Sequence, residues 1–282
     1  HTYDSAVETT TDAIEAVANT DISYSGGVIT VTADLDEIRD MLPKGIQSQL
    51  QLDRAAAGNV VSIRADTNTG TVLVTAPSLA LGGLTAPNLS TGAITLHGVN
   101  ISLSDYNSAL AFLGINKSML GKQIGGTSKD VSARVDISHV TAKSVQWTGK
   151  GGPIAFDSLV LDDLSADATT DKSGGLTAGS FGLQAAVMNG LRAQGVQIDQ
   201  TDMADVVGGV DAMTEKGGLS ASAIRVQGAS KDGQSIEVGE VQDADVSFSN
   251  KGGGIPLLDD KADDVTASLA IGSAGVTDYK SD

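Results

Sequence analysis

Short stretches in which apolar and polar residues alternate run through most of the chain. This pattern is typical of β-strands with one buried face. It is clearest at residues 28–33, 71–76, 93–96, 235–238 and 245–248, and Gly, Asn and Asp separate the stretches. The pattern predicts a mainly β protein built from strands of four to seven residues joined by tight turns.

Helical spacing of apolar residues is confined to a few segments. They are residues 4–18, residues 34–57 with an interruption at Pro43, residues 105–121 and residues 202–213. In the last of these, Asp202 is a good N-cap and Val206 and Val210 follow at helical spacing. We therefore expect a helical lead with one strand segment over residues 1–57. A β-rich repeat region should follow over residues 58–282, with helical insertions near 105–121 and 202–213.

A short string, Val or Leu followed by Ser or Thr and then Ala, recurs along the chain. Successive copies are 43, 57, 45, 43 and 46 residues apart, and a fixed period of this size is typical of repeat proteins. The inserted segment 105–121 accounts for the one long spacing. The copies begin at Val31, Val74, Val131, Leu176, Leu219 and Val265.

A second match supports internal duplication. The nine residues from Gly98 align without gaps on the nine from Gly195, and each set starts with Gly-Val. Two independent strand-to-helix turns are the alternative explanation.

The period favours an open or elongated stacked sheet whose units contact mainly their neighbours. A closed, propeller-like repeat is the alternative, since propeller blades have a similar length. The single Trp147 and the helices expected inside two units argue against the propeller.

Composition agrees with a thin sheet. The chain has 34 Gly among 282 residues and only 3% aromatic residues. Glycine suits tight turns, and large aromatic side chains do not fit a thin apolar layer. Cysteine is absent, which excludes disulfides and thiolate metal sites.

Charge excludes several partners. The formal net charge is −17, and the 18 Lys and Arg residues form no cluster. Nucleic acids and anionic membrane surfaces require clustered positive charge, so neither is an expected partner. No apolar stretch reaches the roughly 18 residues of a membrane-spanning helix, so no transmembrane segment is expected.

Catalytic motifs are missing from the sequence. His97 and His139 lie in no recognisable triad pattern, and we interpret His97 as a surface residue at the end of a strand. We expect no catalytic residue and no bound organic cofactor.

Aspartate is abundant between residues 162 and 171. Calcium prefers six to eight oxygen ligands, which an Asp-rich loop can provide. The candidate ligands of a weak calcium site are Asp162, Asp163, Asp167 and Asp171. A solvated acidic face is the alternative interpretation.

The sequence thus favours a non-catalytic structural or protein-interaction module. Since the chain begins at His1 and shows no targeting signal, we expect it to be part of a longer exported or surface-associated repeat protein with protein partners. The first alternative is lipid or amphiphile binding in a β-lined hydrophobic groove. The second is a hydrolase that uses pairs of Asp residues on loops.

Overall fold

The structure is a computed structural model that describes residues 21–36, 50–52, 59–66, 68–86, 88–104, 131–148, 152–170, 176–211, 216–250 and 265–281. Every complete element within these ranges is a β-strand, and the strands join into one 14-stranded sheet. The predicted mainly β, elongated repeat array is therefore confirmed.

The first half of the sheet contains short strands around one long strand. The strands are β1 Asp21–Ser25, β2 Val28–Asp34, β3 Leu50–Leu52, β4 Val60–Asp66, β5 Thr71–Ala86, β6 Leu89–Thr91 and β7 Ile94–Leu103. Strand β5 pairs with β3, β4, β6 and β7. Because β8 pairs with both β6 and β7, strands β5, β6, β8 and β7 form a small closed ring, which is far smaller than a propeller.

The second half is a regular antiparallel meander. Its strands are β8 Val131–Trp147, β9 Ile154–Thr170, β10 Leu176–Ala193, β11 Val196–Asp211, β12 Lys216–Lys231, β13 Gln234–Asn250 and β14 Val265–Ser281. Strands β8 to β13 each pair with the strands before and after them in sequence, and β14 pairs with β13. Two-residue turns such as Gln194-Gly195 and Asp232-Gly233 join consecutive strands, with left-handed backbone at both residues.

The helix predicted over residues 202–213 is wrong over residues 202–211, which lie in β11. In the segment predicted helical over 34–57, Leu35 and Asp36 have helical backbone, whereas Leu50–Leu52 form β3. The rest of that segment falls largely outside the described residues. The predicted helices at 4–18 and 105–121 lie wholly outside them.

Apolar residues change phase along the long strands, and β8 shows two such changes. In β8, Val135 and Ile137 face inward, then Val140 and Ala142, then Val145. Each change occurs where two successive residues face outward, as at Ser138 and His139. We call such an outward pair a corner.

The phase changes keep the apolar residues on one side of the sheet. On β5, Ala76 precedes a corner and Leu79 follows it, and both belong to one buried cluster with Val99 of β7. A strand with strict alternation would have placed Ala76 and Leu79 on opposite faces. The corner therefore keeps Ala76 and Leu79 on the same buried side of the sheet.

Every strand from β8 to β14 has a corner residue followed, six positions later, by a residue with left-handed backbone. The left-handed residues have φ between 47° and 65°. Gly, Asn and Asp tolerate this conformation best, and Asp or Gly occupies six of the seven positions. The pairs are Ser138 and Ser144, Asp157 and Asp163, Gln184 and Gly190, Asp199 and Asp205, Ser222 and Gly228, Glu237 and Asp243, and Gly272 and Asp278.

These residues form two rows across the sheet, because antiparallel pairing places the first corner residue of one strand opposite the left-handed residue of the next. Ser138 faces Asp163 between the paired residues Ile137–Leu164 and His139–Asp162. The first row contains Gly98, Ser138, Asp163, Gln184, Asp205, Ser222, Asp243 and Gly272. The second contains Ser144, Asp157, Gly190, Asp199, Gly228, Glu237 and Asp278.

The buried side chains are small, in agreement with the low aromatic content of the chain. The buried apolar residues of the described chain are almost all Ala and Val, including Ala76, Val99, Val140, Ala186 and Val206. Small side chains pack together without displacing the backbone of the sheet.

The repeated string marks alternate strands but not equivalent positions. Its last four copies lie on β8, β10, β12 and β14, so the period corresponds to one β-hairpin. However, the copies do not lie at the same height in the sheet. Leu219 pairs with Gly208, and Gly208 pairs with Phe181. Leu219 is therefore equivalent to Phe181, which lies five residues after Leu176. The two segments that begin with Gly-Val also differ in position, since Gly98 lies within β7 and Gly195 lies in a turn.

Candidate functional site

The outer surface carries carboxylates along both rows. Strands β9, β11 and β13 each place an acidic residue at the first corner and Asp at the second. These strands alternate in the sheet, so equivalent carboxylates recur about every 10 Å across it. The acidic positions are Asp157, Asp163, Asp199, Asp205, Glu237 and Asp243, and all are exposed.

Glycines make room for these carboxylates. A Cβ atom at Gly190 would overlap the Asp157 carboxylate, and one at Gly228 would overlap that of Asp199. Arg192 Nη2 donates a hydrogen bond of 2.5 Å to Asp157 Oδ1. This bond and the nearby positive charge hold the pKa of Asp157 below its ordinary value.

A histidine pair lies beside the first row. His97 on β7 is paired with His139 on β8, and the ring centroids are 6.1 Å apart. His139 Nδ1 forms a 2.5 Å hydrogen bond with Asp162 Oδ1 on β9. The sheet thus brings together three residues that are distant in sequence.

An imidazole that a carboxylate orients through Nδ1 can bind a metal ion or act as a base through Nε2. In the described chain neither histidine ring has a hydrogen bond to a hydroxyl group, as a Ser-His-Asp triad requires. The same ranges contain no group of three or more His, Cys, Asp or Glu residues that could hold a metal ion.

The predicted calcium ligands are spread along β9 instead of surrounding a loop. The prediction of a loop is wrong for residues 162–170, which are part of the strand. Asp162 forms a side-chain hydrogen bond with His139. Asp163 lies at a corner with left-handed backbone. Asp167 forms an ion pair with Arg134, with 3.6 Å between Oδ2 and Nη1. Asp171 lies outside the described residues. Calcium binding remains a prediction, which the melting temperature in millimolar calcium and in chelator would test.

The edge strand β14 is a second candidate surface. It pairs with β13, and β14 ends the strand order of the described sheet. Every side chain from Ser268 to Ser281 is exposed. Four large apolar side chains on it are 46–64% exposed, namely Leu269, Ile271, Val276 and Tyr279.

An apolar row leads across the sheet to this edge. Phe181 pairs with Gly208, Gly208 with Leu219, Leu219 with Val246 and Val246 with Leu269. The Phe181 ring lies over Gly208, where a Cβ would overlap it. The four large side chains are each at least 36% exposed, so the row is a partly open apolar surface.

The acidic rows were not predicted from the sequence, although the sequence contains their signal. Acidic residues six positions apart recur at Asp157 and Asp163, at Asp199 and Asp205, and at Glu237 and Asp243. The histidine pair had no sequence signal, because it depends on which strands are neighbours.

Comparisons with known proteins found no relative, since no protein-family model, curated protein or solved structure matches the chain. No helix in the described ranges is long and apolar enough to span a membrane.

Proposed function

We propose that this chain is a non-catalytic structural module in which β-hairpins add to one continuous sheet that presents carboxylates to protein partners. The observation that carries the proposal is the six-residue corner spacing, which recurs in all seven strands from β8 to β14.

Two further features support this role. The extensive contacts of β9 to β13 are with the strands directly hydrogen-bonded to them, as in repeat proteins whose stability comes from neighbouring units. The described acidic corners greatly outnumber their basic partners, of which Arg192 is one. A basic protein surface is the complementary partner, and export or surface association remains part of the proposal.

Deletion of one hairpin tests the modular organisation. The strand registers make each residue of β11 equivalent to the residue 38 positions later in β13. Removal of residues 196–233 therefore joins Gly195 to Gln234 and places Glu237 and Asp243 where Asp199 and Asp205 lay. We expect a folded chain with a native-like circular dichroism spectrum and a smaller urea m-value, because less surface is buried.

A deletion of residues 196–236 is the matched control. It removes three more residues and moves Glu237 out of the second row by three positions. This variant should be clearly less stable than the 38-residue deletion. If both deletions unfold the chain, or both are equally stable, the hairpin module is refuted.

Amphiphile binding is a second candidate, because the row of Phe181, Leu219, Val246 and Leu269 is partly open. Contiguous exposed apolar surface marks interaction sites in soluble proteins. Mass spectrometry of the purified chain should detect bound lipid that the variant Phe181→Ser loses. A lipid-free chain that also fails to bind a fatty acid would contradict this candidate.

A further inference from the structure

Among the described residues nothing pairs with the outer edge of β14, and the strand itself lacks the usual protection against pairing. Exposed edge strands in natural proteins are commonly short, charged or interrupted by proline. At 17 residues, β14 contains one acidic residue, Asp278, one basic residue, Lys280, and no proline. Its local net charge is therefore zero in a chain of net charge −17.

The apolar rows of the sheet end on β14. Val246 pairs with Leu269, Ala244 with Ile271 and Ile236 with Tyr279. Ala244 is 8% exposed, whereas Ile271 beyond it is 46% exposed. One more strand beside β14 would cover part of these terminal side chains.

The corner spacing determines which strand fits this edge. The additional strand must place a left-handed residue opposite Gly272 and a first corner residue opposite Asp278. In β14 itself, Gly272 is a first corner residue and Asp278, six positions later, is a left-handed residue. A second β14, running antiparallel, therefore satisfies both requirements at once.

We propose that β14 pairs with β14 of a second copy of this chain, with the twofold axis at Gly275. This register places Gly272 opposite Asp278 of the second copy and continues both rows. It also places Ile271 opposite Tyr279 and Ala274 opposite Val276, apolar against apolar.

The local details favour this pairing. A Cβ at Gly275 would meet no atom within 4 Å, so the face of the sheet at the centre of β14 is uncrowded. Asp278 and its counterpart in the second copy are offset by about 20 Å along the strands, so they do not oppose each other. An isologous contact of this kind closes at two copies.

A single cysteine tests the register, because the native chain contains none. Facing residues of paired strands have Cα atoms close enough for a disulfide. Under mild oxidation, Gly275→Cys should form a disulfide-linked dimer. The control Ala270→Cys lies on the same exposed strand, but its copy would be about 33 Å away, and it should stay monomeric. Equal cross-linking of both variants would overturn the proposed register.

Sedimentation of the intact chain tests the dimer itself. Ile271→Lys should raise the dimer dissociation constant about tenfold or more, because it removes a buried apolar contact. The control Val207→Lys adds the same charge at a 54% exposed site on β11 and should leave the dimer unchanged. A monomer at all concentrations, an open-ended polymer, or a dimer insensitive to Ile271→Lys would overturn the inference.

This inference rests on the proposed modular function, but the two can fail separately. Misfolding of the 38-residue deletion would refute the module. A folded deletion variant together with a monomeric intact chain would refute only the pairing of β14.

Discussion

The carboxylate of Asp157 lies over Gly190 on the neighbouring strand, in space that a larger residue would fill. Asp199 and Gly228 repeat this relationship two strands further on. Each glycine combines a left-handed backbone with the close approach of a carboxylate, so two physical constraints act at one position.

Substitution of Gly190 by Ala should therefore be costly. Left-handed backbone alone costs an alanine about 1–2 kcal/mol, and overlap with Asp157 adds to this. Gly26 is a matched control, because it has φ of 59° and a Cβ added there would meet no atom within 4 Å. In urea unfolding, Gly190→Ala should destabilise more than Gly26→Ala, and adding Asp157→Ala should recover part of the difference. Equal effects of the two glycine substitutions would contradict the role of Asp157.

Left-handed Asp163, with φ of 51°, should tolerate only certain residues. We expect Asp163→Asn and Asp163→Gly to change the unfolding free energy little. Asp163→Val should lower it by about 1–2 kcal/mol, because a β-branched side chain is strained in this conformation. Chemical denaturation of the three variants measures the differences. A valine variant as stable as the asparagine variant would show that the corner is not left-handed.

Thr201 is 5% exposed and its hydroxyl has no hydrogen-bond partner in the structure. It occupies an inward position between Met188 and Val226. Thr201→Val keeps the shape and removes the unsatisfied hydroxyl, so we expect stabilisation of about 1 kcal/mol. Thr201→Ser, which keeps the hydroxyl and loses a methyl group, should destabilise. Thermal unfolding of both variants tests this, and a destabilised valine variant would be the opposite result.

Acid should destabilise the fold through Asp66 and Asp157. The backbone N–H of Asn68 donates to Asp66 and lowers its pKa, as Arg192 lowers that of Asp157. Because both pKa values are lower in the folded state, their stabilisation is complete above the unfolded-state pKa, about 3.9. It is lost as the pH falls through the folded-state values.

The measurement is the melting temperature between pH 6 and pH 2.5. Asp157→Asn and Arg192→Gln should each give a shallower decline below about pH 4 than the native chain. Identical slopes in all three proteins would mean that this ion pair contributes nothing to the pH dependence.

The β-rich content and the elongated repeat array could be predicted from the sequence, because both follow from local alternation and recurrence along the chain. The predicted strand length of four to seven residues is wrong for β8 to β14, which have 16 to 18 residues each. The helix expected over 202–213 failed for an identifiable reason. The prediction used Val206 and Val210, which are four positions apart and lie on the same face of β11. Four residues are close to one turn of a helix and are also two full periods of a strand, so this spacing fits both structures.

The sites were less predictable, because they depend on register. His139 and Asp162 are 23 residues apart and meet only because β8 and β9 pair as they do. The open edge of β14 likewise depends on strand order. In contrast, the acidic rows could have been predicted, because pairs of acidic residues six positions apart recur in the sequence.

Because both corner rows continue across strands β8 to β14, each added hairpin lengthens the sheet by a constant amount. Neighbouring strands lie about 4.8 Å apart, so each hairpin of about 40 residues lengthens the array by roughly 10 Å and leaves its cross-section unchanged. Gain or loss of whole hairpins during evolution would therefore change the reach of the protein without any redesign of its interior.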